Sequence, residues 1–123
     1  MPSRPRVLLA DDYPEIVKAV SRLLALDCDV VGSVADGSAL LETVRRLEPD
    51  VVVLDVNLPG VQSLEACREI TSANPAMKVI MFTAVDDANL SQAFLQAGAS
   101  AFVSKVASVD LLHTIKRVCT EGA

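Results

Sequence analysis

Residues 51–60 read VVVLDVNLPG, an apolar run that ends in an aspartate and continues into a turn sequence. Four consecutive apolar residues without alternation are typical of a strand that is covered on both faces, as in parallel sheets. Asn57, Pro59 and Gly60 favour a turn directly after the run. The segment therefore predicts a buried parallel strand whose carboxyl end presents Asp55.

Similar short apolar runs precede and follow this segment, and they lie at 7–10, 30–34, 79–82 and 101–103. The run at 30–34 is more polar than the others, which predicts an edge strand. Between the runs, apolar residues recur at helical spacing, as at Leu40, Val44 and Leu47. Pro14 suits a first helical turn, and Gly98 suits the end of a helix.

The unbroken alternation of strand and helix predicts a (βα)5 fold. Right-handed crossovers then give a flavodoxin-like three-layer α/β sandwich, with a five-stranded parallel sheet in the order 2-1-3-4-5. The length of 123 residues suits one domain. We assign residues 6–120 to that domain and residues 121–123 to a tail or the start of a linker.

Composition excludes several classes of function. The net charge of −5 argues against direct binding of nucleic acid by this segment. No apolar run approaches the ~20 residues that a membrane-spanning helix needs, and the N-terminal apolar run is too short for a signal peptide. The three cysteines have no CxxC spacing, which argues against a disulfide framework or a zinc site. We expect a cytoplasmic protein without membrane contact.

Polar residues follow the apolar runs at four places: Asp11-Asp12, Asp55, Thr83 and Lys105. In an open parallel sheet, ligands bind outside the carboxyl ends of the strands, where the strand order reverses. In the predicted order, strands 1, 3, 4 and 5 are neighbours. The sequence therefore predicts that these acids, the hydroxyl and the amine meet in one shallow cleft.

Such a cleft favours one kind of chemistry. At an effective dielectric near 20, two carboxylates ~4 Å apart repel by roughly 4 kcal/mol, so the acids require a cation. Oxygen ligands select hard cations, and Mg2+ combines few carboxylates with waters and a phosphate oxygen. Asp55 then suits the nucleophile of a phosphoryl transfer, Lys105 neutralises charge on the transferring group, and Thr83 donates a hydrogen bond.

Each residue also has a plainer interpretation when taken alone. The aspartate pair could cap a helix, Asp55 could form a turn, Thr83 could be an ordinary strand residue, and Lys105 could be a solvated surface charge. Their joint placement favours the functional interpretation. The single histidine, His113, lies in the fifth predicted helix, where we expect a surface position without chemistry.

Asp11-Asp12, Asp55 in LDVNLPG, Thr83-Ala84 and Lys105 together resemble the receiver domains of two-component response regulators. The resemblance implies that Asp55 accepts phosphate from the phosphohistidine of a sensor histidine kinase. It also implies that Asp12 and Asp55 ligate Mg2+, that Asp11 contributes mostly through water, and that the backbone carbonyl of Asn57 is a further ligand. The domain would catalyse only its own phosphorylation and dephosphorylation.

The resemblance further implies a switch in which Thr83 and Phe102 move on phosphorylation. The surface of the fourth helix, fifth strand and fifth helix would change with them and could form a homodimer. Residues 97–108 look most like receivers that precede a helix-turn-helix DNA-binding domain, so the expected output is transcription. DNA contact would come only through that further domain.

Two positions depart from the family pattern. Val106 follows the lysine where many receivers carry proline. Ser63 stands where many carry glycine; it could cap the third helix, so we expect a small local change there. Two alternatives stay open. One is a haloacid-dehalogenase-like hydrolase with an aspartate nucleophile, and the other is a degenerate receiver that acts only as an interaction module.

Overall fold

The apolar runs form one parallel sheet in the computed structural model, which describes residues 4–84 and 87–121. Its strands lie in the order β2-β1-β3-β4-β5, and every neighbouring pair is parallel. The predicted strand order and fold class are confirmed. The strands are β1 (Arg6–Ala10), β2 (Asp29–Val34), β3 (Val51–Asp55), β4 (Lys78–Thr83) and β5 (Ala101–Ser104).

Helices cover both faces of the sheet because alternate strand residues point to opposite sides. Leu8, Val52 and Leu54 belong to the core on the side of α2, α3 and α4, whereas Val7 and Val53 belong to the core on the side of α1 and α5. The helices are α1 (Pro14–Leu24), α2 (Leu40–Leu47), α3 (Ser63–Ala73), α4 (Ala88–Gln96) and α5 (Val109–Glu121).

Proline and glycine lie at helix ends, as the sequence predicted. Pro14 lies in the first turn of α1, and Gly98 follows α4 with a φ of 107°. Helix α5 continues to Glu121, and Gly122 and Ala123 of the expected tail lie outside the described residues. Two short 3-10 turns that the sequence did not predict occur at Gly37–Ala39 and Lys105–Ala107.

Strand β2 forms one edge of the sheet, as its more polar sequence predicted. None of its residues is fully buried, and its pairing with β1 shifts in register between Val7 and Leu8. The central strand β3 is the opposite case, because all five of its residues are buried. No helix within 4–84 and 87–121 has the length and apolar character needed to cross a membrane.

Candidate functional site

The carboxyl ends of four neighbouring strands bring the predicted polar residues to one edge of the sheet. Asp11 directly follows β1, Asp55 ends β3, Thr83 ends β4, and Lys105 directly follows β5. The register pairs Asp55 with Phe82 and Thr83 with Ser104, so the strand ends lie side by side.

Three carboxylates form the centre of this site. Asp11, Asp12 and Asp55 each offer an oxygen, and these oxygens all lie within 4.8 Å of one another. The side chains of Asp11 and Asp55 are buried, whereas Asp12 is exposed. The cluster is therefore open to solvent on the Asp12 side and closed on the side of the sheet.

Backbone groups hold one oxygen of each buried carboxylate. Asp11 Oδ1 accepts a hydrogen bond of 2.9 Å from the Tyr13 N–H, and Asp55 Oδ1 accepts one of 3.0 Å from the Asn57 N–H. Both bonds join residues two positions apart, before the next helix begins. Helix α1 has Tyr13 at its N-cap position and no side-chain cap. Helix capping therefore does not account for the aspartate pair.

Lys105 supplies positive charge to the same site. Its Nζ lies 2.7 Å from Asp11 Oδ2 and 3.5 Å from Asp55 Oδ2. The ammonium also lies over two aromatic rings, 5.2 Å from the Tyr13 centroid and 5.7 Å from the Phe82 centroid. Only 9% of the Lys105 side chain is exposed, so Lys105 is not a solvated surface lysine.

The site nevertheless disfavours the charged form of Asp55. Burial raises the pKa of Asp55 above its usual value, and the charge of Asp11 raises it further. The Asn57 N–H and the Lys105 ammonium act in the opposite direction, but the net direction is upward. Burial therefore outweighs the stabilising effect that the N–H and the ammonium have on the Asp55 carboxylate.

The donor atoms at this site fit a hard divalent cation. Asp11 Oδ2 is buried and lies 2.7 Å from Lys105 Nζ, an ammonium that also faces Asp55 Oδ2 at 3.5 Å. Carboxylate oxygens gathered within 4.8 Å are suitable ligands for Mg2+. The exposed Asp12 leaves space on its side for water ligands.

The two residues of the predicted switch lie on neighbouring strands. Thr83 is buried at the end of β4, and Phe102 is half-buried on β5 beside Met81. The Phe102 ring packs against Phe94 of α4, with 6.2 Å between the ring centroids. Their movement on phosphorylation stays a prediction, as do the chemical roles of Asp11, Asp12, Asp55, Asn57, Thr83 and Lys105.

The prediction that Ser63 could cap the third helix is wrong. Gln62 occupies the N-cap position of α3, and Ser63 is the first helical residue. The Ser63 hydroxyl is buried and donates a hydrogen bond of 2.9 Å to the backbone carbonyl of Asp55. It thus ties the start of α3 to the end of β3 instead of binding the free N–H groups of its own helix.

Some features of the site could not be found from the sequence. The Tyr13 and Phe82 rings beside Lys105 are aromatic residues next to polar strand ends, but no spacing rule indicates that they face the ammonium. Val106 is 90% exposed, and its N–H donates to Ser104 Oγ at 3.3 Å, a bond that a proline could not form. Val85, which follows Thr83-Ala84 in the sequence, lies outside the described residues.

Several known proteins are similar to this chain. Residues 7–117 match the family model "Response regulator receiver domain". The chain is 36% identical over 117 residues to the response regulator GacA of Pseudomonas viridiflava, covering 92% of this chain and 54% of GacA. It is 31% identical over 121 residues to the transcriptional regulatory protein DegU of Brevibacillus brevis, covering 96% and 51%.

Among solved structures, a two-component response regulator of the LuxR family from Aurantimonas sp. SI85-9A1 superimposes with a TM-score of 0.90 and 30% identity, covering 97% of this chain and 87% of that one. The receiver domain of the putative regulator NarL from Mycobacterium tuberculosis gives the same TM-score at 29% identity, covering 97% and 98%. The chain spans about half the length of the curated relatives it matches.

Proposed function

Because this chain belongs to the response regulator receiver domain family, we propose that Asp55 accepts a phosphoryl group from the phosphohistidine of a sensor kinase in an Mg2+-dependent transfer. The observation that carries this proposal is the cluster of three carboxylates with one buried lysine at adjacent strand ends. The chain is the receiver domain of a two-component response regulator, and such domains interact with sensor kinases.

Asp55 has one oxygen held in place and one that faces the lysine. Oδ1 accepts the Asn57 N–H, and Oδ2 lies 3.5 Å from Lys105 Nζ. In the proposed transfer, a bond forms between an Asp55 carboxylate oxygen and phosphorus, and the bond between phosphorus and the kinase histidine nitrogen breaks. The Lys105 ammonium would bind an oxygen of the transferring group, and the Thr83 hydroxyl would donate to another.

The residues that would hold Mg2+ are Asp12 and Asp55, with the Asn57 backbone carbonyl and with Asp11 acting mostly through water. When bound, the cation offsets negative charge on the phosphoryl oxygens and on the carboxylates. Asp11 and Asp55 are already fixed by backbone N–H groups, so little ordering of these two side chains accompanies binding. The domain would catalyse its own phosphorylation and dephosphorylation and would act on no separate substrate.

The proposed output is a change in the surface formed by α4, β5 and α5. Phosphate would draw Thr83 inward, and the Phe102 ring would then turn from its half-buried position toward the interior. This surface would contact an output domain or a second copy of the chain. DegU is named a transcriptional regulatory protein and the Aurantimonas structure is of the LuxR family, which supports a transcriptional output in the cytoplasm through a DNA-binding domain outside this segment.

The proposed transfer is tested with acetyl phosphate and Mg2+ as the phosphate source. We expect one acid-stable, alkali-labile phosphoryl group per chain, detected by intact mass, and none after addition of EDTA or in Asp55→Asn. Asp50→Asn is the matched control, because Asp50 lies just before the same strand and is exposed at its other end. Its labelling should equal that of the wild type.

Other outcomes of the same experiment would overturn the proposal. Labelling of Asp55→Asn at the wild-type rate would remove Asp55 as the acceptor. No labelling of the wild type would indicate a degenerate receiver. Steady release of phosphate from unrelated phosphate esters such as p-nitrophenyl phosphate would indicate a hydrolase.

A further inference from the structure

Two loops meet beside the acidic cluster. The β3–α3 loop, residues 56–62, carries the Asn57 carbonyl, and the β2–α2 loop, residues 35–39, lies against it. The Gly37 N–H donates a hydrogen bond of 2.7 Å to the carbonyl of Pro59, two residues after Asn57. Gly37 is buried, although it lies in the 3-10 turn of a connecting loop. The position of the β3–α3 loop therefore depends on a segment with no predicted role in the site.

The contact between the loops is too close for any side chain at residue 37. A Cβ at Gly37 would overlap Cβ and Cγ1 of Val61 and would lie 3.0 Å from the Val61 nitrogen. The Val61 backbone is part of the β3–α3 loop, so the overlap could be relieved only if that loop moved. Glycine is required here for close approach of two backbones.

A second contact joins the same two loops. Gly60 has a φ of 85°, and a Cβ on it would overlap the Asp36 carboxylate. That carboxylate is held in turn, because Asp36 Oδ1 accepts the Ser38 N–H at 2.7 Å. The β2–α2 loop thus presents a fixed surface, and the β3–α3 loop packs on it at two points.

The ends of the β3–α3 loop are fixed as well. The Leu58 N–H donates to the Asp55 carbonyl at 3.3 Å, and the Ser63 hydroxyl donates to the same carbonyl at 2.9 Å. Between Leu58 and Ser63, the Gly37 N–H holds the Pro59 carbonyl. Asn57 directly precedes this span, and its own N–H holds Asp55 Oδ1.

We propose that Gly37 is a positioning residue for the metal site, which acts through Pro59 and Val61 on the Asn57 carbonyl and the Asp55 carboxylate. This inference rests on the proposed function, because it assumes that the cluster binds Mg2+. Magnesium requires near-octahedral geometry with oxygen distances of about 2.0–2.1 Å, so a small loop displacement is enough to weaken binding. The β2–α2 loop then tunes metal affinity without touching the cation.

The test measures binding of Mg2+ alone, without phosphate, to wild type and Gly37→Ala by calorimetry. Removal of a residue that supports a metal ligand typically costs 10–100-fold in affinity, so we expect the Kd of Gly37→Ala to rise about tenfold or more. The Mg2+-induced shift of the Asn57 amide resonance should change as well. Gly32→Ala is the matched control, because its Cβ would meet only side-chain atoms, Leu47 Cδ1 at 3.0 Å and Leu8 Cδ1 at 3.6 Å. Its Mg2+ affinity should stay within about twofold of the wild type.

A rescue variant separates positioning from general loss of structure. Val61→Gly removes the atoms that the new methyl group would overlap, so Gly37→Ala combined with Val61→Gly should recover most of the lost affinity relative to Val61→Gly alone. A folded Gly37→Ala protein with wild-type Mg2+ affinity would overturn the inference. So would a double variant that regains stability in urea without regaining affinity.

Two further outcomes are distinguishable. If Gly37→Ala does not fold, Asp36→Ala loosens the second contact between the two loops without adding an overlap, and it should also raise the Kd; an unchanged Kd would refute the role of the loop. If the wild type itself binds no Mg2+, the proposed function fails and not only the role of Gly37.

Discussion

Within the described residues, lysines approach aspartates at opposite ends of the sheet. At the carboxyl end, Lys105 Nζ lies 2.7 Å from Asp11 Oδ2, and the two side chains are 9% and 5% exposed. At the amino end, Lys116 Nζ lies 3.4 Å from Asp27 Oδ1, and the side chains are 53% and 42% exposed. The same two groups therefore meet under very different solvation.

The two ends of the sheet differ in how their negative charge is compensated. The Lys116–Asp27 pair and the nearby Arg4–Asp29 pair are matched one to one and remain in contact with water. At the carboxyl end, Lys105 lies between two carboxylates, and a third belongs to the same cluster. The two buried aspartates of the described chain, Asp11 and Asp55, therefore share one ammonium, and they lie at the end where ligands of such sheets bind.

The largest expected effect comes from removal of the buried lysine. Lys105→Ala leaves the carboxylates without a counter-ion, and loss of one partner of a buried pair typically costs about 3 kcal/mol. We therefore expect the free energy of unfolding, measured with urea in EDTA, to fall by about that amount. Addition of Mg2+ should restore part of it, because a ligand that binds only the folded state stabilises it.

Lys116→Ala is the control for this prediction. A loss of stability in Lys105→Ala no greater than that in Lys116→Ala would show that burial does not distinguish the two pairs. A large loss that Mg2+ leaves unchanged would argue that the cluster binds no cation.

The second expected effect has the opposite sign. Because burial raises the pKa of Asp55 in the folded chain, its charged form destabilises the metal-free fold near neutral pH. Asp55→Asn should therefore raise the free energy of unfolding at pH 7 in EDTA, because asparagine carries no charge that burial disfavours. Asp29→Asn, which changes an exposed aspartate at the other end of the sheet, serves as the control.

The pH dependence follows from the direction of the shift. The wild type and Asp55→Asn should differ least below the unfolded pKa of aspartate, where Asp55 is protonated in both states. The free energy of unfolding of Asp55→Asn should exceed that of the wild type by a growing amount as the pH rises from the unfolded pKa of aspartate to the raised pKa of folded Asp55. Above that folded pKa, the difference should become constant. If this difference in stability instead decreased over the same pH range, the effects of Lys105 and the Asn57 N–H on the Asp55 pKa would outweigh the effect of burial.

The sequence predicted that the acidic residues and Lys105 gather at the carboxyl end of the sheet. Apolar runs such as 51–54 indicate buried strands, and the strand order follows from the handedness of the crossovers. The position of Asp55 beside Asp11 could therefore be predicted from the sequence alone. Local patterns carry this information because a strand and its end are contiguous in the chain.

The contacts that the sequence did not predict join residues far apart in the chain. Nothing in the pattern indicates that Lys105 lies closer to Asp11 than to Asp55, since that depends on the side-chain conformation above the 3-10 turn at Lys105–Ala107. In the sequence, Gly37 is not distinguishable from an ordinary loop glycine. Its hydrogen bond to the Pro59 carbonyl depends on the positions of β2 and β3 on either side of β1. Serine is a common helix-capping residue, but the Ser63 hydroxyl donates to the carbonyl of Asp55 in β3 instead of capping its own helix.

The smallest expected effect completes the comparison. Exposed lysine–aspartate pairs typically contribute 0.2–1 kcal/mol, and a distance of 3.4 Å between half-exposed groups favours the lower part of that range. A double-mutant cycle of Lys116→Ala and Asp27→Ala should give a coupling energy below about 0.5 kcal/mol, which decreases further in 1 M salt because exposed charges are screened. Urea denaturation of the four proteins measures it. A coupling above about 1 kcal/mol that persists in salt would mean that the amino end also contains strongly coupled charge, and a cation requirement could then no longer be assigned from burial alone.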